Sequence, residues 1–158
     1  ATGFDALTGS LMKMEIIGRD GMRLSDEWKN GPKTYLGLQV TGFPNFFIVT
    51  GPGSPSVLTN MPQSIDQNVT WITDCISHLI KNNFAKIEAE DNAMNAWMEH
   101  VQEEVDGTLF LSAKHSWYLG ANIEGKARVF MPYVGGLDKY REFCDEVAND
   151  GYRGFQFS

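Results

Sequence analysis

Apolar residues recur along this chain in two rhythms. Up to position 49 they come in short runs: LMKMEII at 11–17, YLGLQV at 35–40 and FFIV at 46–49. Each run reads as a strand, with Gly18-Arg19-Asp20-Gly21 as a turn and Thr41-Gly42-Phe43-Pro44-Asn45 as a breaker. Ser25 reads as the N-cap of a short helical turn through Trp28, stopped by Gly31-Pro32. From Pro62 the period changes. Ile65, Val69, Ile72, Ile76 and Leu79 recur at steps of three and four, which predicts a helix with one apolar face, ending near 81–83. A second helix is expected from about Glu88 to 106–107, with Met94, Trp97, Val101 and Val105 on its apolar side. Residues 108–128 show no period and carry Trp117, Tyr118 and two glycines, so they read as a long ordered loop, usually a functional one. The run at 128–134 is strand-like; Leu137, Tyr140, Cys144 and Val147 mark a last helix, and 155–157 a short closing strand. Strands followed by crossing helices predict an α/β fold with a partly parallel sheet.

The 158 residues suit one domain, and 42% hydrophobic content with 12% aromatics is enough to build a core. A net charge of −7 argues against a nucleic-acid partner, which would want a basic patch. No basic run flanks an amphipathic helix and no apolar run is long enough to span a bilayer, so no membrane partner is expected. The two cysteines, Cys75 and Cys144, form no CxxC pair and no metal-ligand spacing with His78, His100 or His115. They read as reduced structural thiols of a cytoplasmic protein. The opening ATGFDA, without an initiator methionine, reads as a cut inside a larger protein or a processed end.

The densest backbone punctuation lies at 50–61, TGPGSPSVLTNM, between an apolar run and the long helix. GPGSP follows a strand-like run and precedes a helix, but its second proline removes a donor where a phosphate cradle needs one. GPGSPS is not the G-x-S-x-G elbow of a serine hydrolase either. Glu88, Glu90, Asp91, Glu103 and Glu104 are explained by a helix start and a solvated face. No metal site and no catalytic side chain is expected. Pro62 fits a first helical turn, whose outward N–H groups, those of Asn60 and Met61 among them, carry partial positive charge and can hold an electron-rich ligand oxygen. A plain capped helix behind a surface loop remains the alternative.

ATGFDALTG, GPKTYLGL, GFPNFF, TGPGSPSVLTNM, SWYLGANIEGK and RVFMPYVGGLDKYR, in this order, resemble the C-terminal third of type I Baeyer–Villiger monooxygenases, with phenylacetone and steroid monooxygenases as the nearest group. The resemblance covers essentially the whole chain. It implies FAD and NADPH as cofactors, a ketone and molecular oxygen as substrates, and an ester or lactone as product. Residues 1–158 would be the C-terminal half of a Rossmann-like FAD-binding domain, with 1–10 the return from an absent NADP-binding domain. Both glycine-rich fingerprints and the catalytic arginine would lie in a missing N-terminal part, leaving this stretch inactive alone.

The resemblance also assigns residues. The loop matching 53–59, with Ser56, Val57 and Leu58, lines the substrate pocket, and Met61, beside Asn60, meets the pyrimidine side of the flavin. The segment matching SWYLGAN folds over NADP with Trp117 touching the nicotinamide nucleotide; without it, Trp117 reads as an aromatic anchor for the loop. The rival to the monooxygenase reading is a non-catalytic truncated module that associates with a partner chain.

Overall fold

The computed structural model describes residues 5–158, so the ATGF start of the expected return segment lies outside the described residues. Among the described residues five α-helices carry the architecture: α1 Gly9–Met12, α2 Leu24–Glu27, α3 Met61–Lys81, α4 Asp91–Val105 and α5 Leu137–Asn149. β1 (Ile87–Ala89) and β2 (Phe155–Phe157) form a two-stranded antiparallel sheet, with Ile87 opposite Phe157 and Ala89 opposite Phe155. The fold is thus mixed helix and strand.

The expected partly parallel sheet is not what forms among the described residues. Residues 11–17 begin inside α1, and 35–40 and 46–49 make only isolated antiparallel bridges, Tyr35 to Gln39 and Gln39 to Phe47. The backbone explains this. Leu36 and Gly37 both hold positive φ (56° and 72°), which folds the run back on itself instead of extending it. A Cβ on Gly37 would come within 2.7 Å of the Ser54 amide nitrogen, so the bend also brings residues 37 and 54 into close approach. Residues 128–134 likewise form no strand, although Met131 N–H donates to Tyr118 O and Tyr133 N–H to Ser54 O. α2 begins at Leu24 with Arg23, not Ser25, as its N-cap.

α4 and α5 turn their periodic apolar residues inward: Met94, Trp97, Val101 and Val105, then Tyr140, Cys144 and Val147, are all buried. α4 starts at Asp91, because Glu88 belongs to β1, where its Oε1 accepts from Arg19 Nη2 (2.9 Å) and Gly42 N–H (2.8 Å). α3 behaves differently. An apolar stripe is ordinarily the buried one, yet α3 buries Ser64, Gln67, Asn68, Trp71, Cys75 and Leu79, while Ile65, Val69 and Ile76 are more than 40% exposed.

The buried polar residues have work to do. Asn68 Oδ1 accepts from Thr50 N–H (2.8 Å), its Nδ2 donates to Gln67 Oε1 (2.7 Å) and to Tyr140 Oη (3.1 Å), and Tyr140 Oη donates to Leu36 O (2.6 Å). Irregular backbone, buried at 36 and half-buried at 50, needs its polar groups paired, and side chains of α3 and α5 supply the partners. Further along, Trp71 Nε1–H donates to Cys144 O (2.9 Å) and its ring meets Tyr152 edge-on at 5.2 Å. Burial pushes the Cys75 and Cys144 thiols up to about 12, so both stay protonated and inert at neutral pH. Among the described residues no helix is long and apolar enough to cross a membrane, and no cluster of His, Cys, Asp or Glu is arranged to hold a metal.

Candidate functional site at the mouth of the long helix

The punctuated loop is stiff because each special residue is pinned. Thr50 holds φ 54° through the bond to Asn68; Gly53, at φ 84°, donates its N–H to Met131 O (2.7 Å) and accepts from Trp97 Nε1–H at 3.0 Å. Ser54 is buried with its hydroxyl donating to Gly51 O (2.7 Å), a structural bond that leaves it no role as a nucleophile. A 3₁₀ turn at Ser56–Leu58 then delivers the chain to α3. Asn60 is the N-cap: its side chain accepts from Gln63 N–H, and Pro62 sits in the first turn. With Pro62 lacking an N–H and that of Gln63 capped, the Met61 N–H is the first-turn donor without an intrahelical or capping acceptor.

Met61 opens onto a cleft of about 1110 Å³. One wall comes from the N-terminal segment, with Leu7, Ser10 and Leu11; the run 46–51 supplies a second. Ser56, Val57 and Met61 form a third side, and the long loop contributes His115, Trp117 and Asn122. The lining is mostly apolar, with a helix N-terminus at its edge. That combination suits a flat heteroaromatic ring carrying electron-rich oxygens on one side.

Four of the six expected site residues therefore share this cleft: Ser56, Val57, Met61 and Trp117. The other two do not line it. Leu58 packs instead on a separate small cluster of Val105, Leu119 and Phe130, and Asn60 spends its side chain on the cap. Residues that the sequence did not single out, notably Leu7, Leu11, Phe46 and Phe47, complete the walls, together with Asn122 of the SWYLGAN segment. The GFPNFF block was the available signal for two of them.

Trp117 starts a 3₁₀ turn, Trp117–Leu119, whose N-cap Ser116 accepts from Tyr118 N–H. Its ring lies 4.1 Å from that of Tyr118. The loop is tied down behind it: Arg128 donates to the carbonyls of Leu111, Ala113 and Lys114, and Lys126 pairs with Asp5. Gly120, at φ 68°, supplies the left-handed turn that ends the 3₁₀ segment.

No family model matches the chain. Curated and solved relatives do. Cyclohexanone 1,2-monooxygenase of Acinetobacter sp. is 42% identical over 155 residues, covering 98% of this chain and 28% of that protein. A closed crystal structure of cyclohexanone monooxygenase superposes with a TM-score of 0.94 at 43% identity, over 98% of this chain and 29% of the other. OTEMO in complex with FAD and NADP gives 0.91 at 39% identity, over 100% and 29%. In sequence and in fold the chain matches the C-terminal segment of Baeyer–Villiger monooxygenases, and it spans less than a third of the relatives' length.

Proposed function

We propose that this chain is the part of an FAD- and NADPH-dependent Baeyer–Villiger monooxygenase that walls the flavin ring and the ketone. The observation that carries the reading is the apolar cleft with the α3 N-terminus on one side and Trp117 on the other. When bound, the flavin supplies the redox and oxygen chemistry that inserts one oxygen atom beside the ketone carbonyl. The chain's residues do the rest. The Met61 N–H and the positive end of α3 favour negative charge on the ring's pyrimidine side. Ser56 and Val57 shape the ketone's pocket. Trp117, which lines the cleft, would cover the nicotinamide nucleotide when it is bound and would keep water out. The substrates are a ketone and molecular oxygen, the setting is the cytoplasm, and the dinucleotide-binding glycine loops are supplied by an N-terminal FAD/NADP-binding part. The FAD-domain assignment of residues 1–158 belongs to the same reading.

This division of labour has a direct consequence. The cleft holds a ring edge, but nothing among the described residues resembles a phosphate cradle, so the isolated chain binds FAD weakly or not at all and oxidises no NADPH. Titration of the purified chain with FAD, followed by visible absorption and flavin fluorescence, checks this. Tight one-to-one binding would contradict the division. A second reading, a non-catalytic module docked on a partner, is favoured by the bare apolar face of α3; it is separated from the first by whether the assembled protein carries flavin.

A further inference from the structure

We infer that Met61 is a site of oxidative modification: hydrogen peroxide released in the cleft converts its thioether to the sulfoxide, and the sulfoxide disables the site. The inference rests on the monooxygenase reading above, which supplies the peroxide, and goes beyond it by naming the side chain that is modified. The surroundings of the seven methionines select it. Met94, Met98 and Met131 are only 7%, 7% and 1% exposed. Met94 Sδ accepts from Thr41 Oγ1 (3.6 Å), and Met98 Sδ lies 3.3 Å from where a Cβ on Gly53 would stand. Met12 and Met22 are half-buried and pack on the main core. Met14 is exposed but lies off the cleft. Met61 is half-buried, lines the cleft and packs on neither core cluster.

The chemistry balances without a further reagent. When NADPH is consumed without a ketone, its two electrons pass to oxygen and yield hydrogen peroxide. The Met61 sulfur then attacks one peroxide oxygen, the O–O bond breaks, the S=O bond forms, and the other oxygen leaves as water. Sulfur is oxidised by two electrons and the peroxide is reduced. A flexible apolar side chain becomes a polar one on a mostly apolar wall. Its new oxygen is an acceptor on the residue whose N–H is the unpaired first-turn donor of α3, so it competes with a ligand oxygen for that donor.

The first arm of the test adds hydrogen peroxide to the isolated chain and follows each methionine by peptide mass mapping. Met61 sulfoxide accumulates at least about fivefold faster than that of Met94, Met98 or Met131, and Met14 serves as the freely exposed standard. Equal rates at Met61 and the three buried methionines overturn the inference. The second arm uses Acinetobacter cyclohexanone monooxygenase in which this sequence replaces the segment it matches, turned over with NADPH and oxygen but no ketone. Met61 is now oxidised ahead of Met14, because the peroxide arises beside it, and lactone-forming activity falls in step. Methionine sulfoxide reductase restores that activity, and Met61→Leu loses its own starting activity at least about threefold more slowly. Activity lost with Met61 still a thioether, or lost equally fast in Met61→Leu, overturns the inference. A chimera that binds no FAD counts against the flavin-wall reading and removes the source of peroxide, while the ranking in the isolated chain still decides whether Met61 is the reactive thioether.

Discussion

In an intact monooxygenase carrying this segment, Trp117→Ala raises the apparent KM for NADPH by about tenfold or more and increases the hydrogen peroxide released per NADPH consumed. The first effect follows from area. An indole laid on a nucleotide buries enough apolar surface to be worth about 1.5–3 kcal/mol, and 1.4 kcal/mol is a factor of ten. The second follows from position, because Trp117 and Asn122 form the loop side of the cleft and truncation opens it to water. FAD content stays near the parent's, since Met61 and the run 46–51 lie on other walls. Trp117→Phe, which keeps most of the aromatic area, recovers most of the NADPH affinity. Steady-state NADPH titration with a coupled peroxide assay checks both effects. Unchanged KM and unchanged peroxide yield in Trp117→Ala would reduce the residue to an anchor stacked on Tyr118.

Trp97→Ala has the largest expected effect on stability, about 3–5 kcal/mol. Trp97 is 5% exposed, sits 5.5 Å from the rings of Tyr133 and Phe143, and reaches through the core to the punctuated loop. Its Nε1–H donates to Gly53 O, and a Cβ added at Gly53 would lie 3.1 Å from that nitrogen. Truncation therefore empties a large core volume and strands a buried carbonyl at once. Trp97→Phe removes mainly the donor and costs about 1–2 kcal/mol. Against a total stability of about 5–15 kcal/mol, the alanine variant leaves little margin. Urea unfolding of the two variants checks the ordering. A loss below about 1 kcal/mol for Trp97→Ala would show that the loop does not hang on this side chain.

The long helices were legible because their periodicity extends over several turns and their ends carry ordinary signals, such as Asn60 and Pro62 at the start of α3. The apolar runs at 35–40 and 46–49 were not, since strand-like composition says nothing about the positive φ of Leu36 and Thr50. Both positions are held by contacts remote in sequence, from Asn68 and Tyr140. The same contacts explain why the facing of α3 resists pattern reading. Its inward side answers the hydrogen-bonding needs of irregular backbone, so Ser64, Gln67 and Asn68 go in and the aliphatic stripe goes out. β1 went unseen because Glu88 looks like a helix-start charge until Arg19 and Gly42 are brought beside it.

At the cleft, the loop 50–61 stood out by its backbone punctuation, whereas Trp117 gained a site role only through the family resemblance and reads by residue type as a loop anchor. Leu7 and Leu11 join them only through the tertiary fold, and no local feature marks them as lining. Leu58 shows the opposite limit: one position from Val57, the 3₁₀ turn sends it to Val105 and Phe130 instead.

The most direct measurement installs this sequence in place of the matched segment of Acinetobacter cyclohexanone monooxygenase and analyses the products formed from cyclohexanone, NADPH and oxygen. The expected result is an FAD-loaded protein whose NADPH consumption rises with ketone and yields the ring-expanded lactone. A stable, FAD-loaded chimera that consumes NADPH without forming lactone would contradict the claim that these residues wall a ketone-oxidising flavin site.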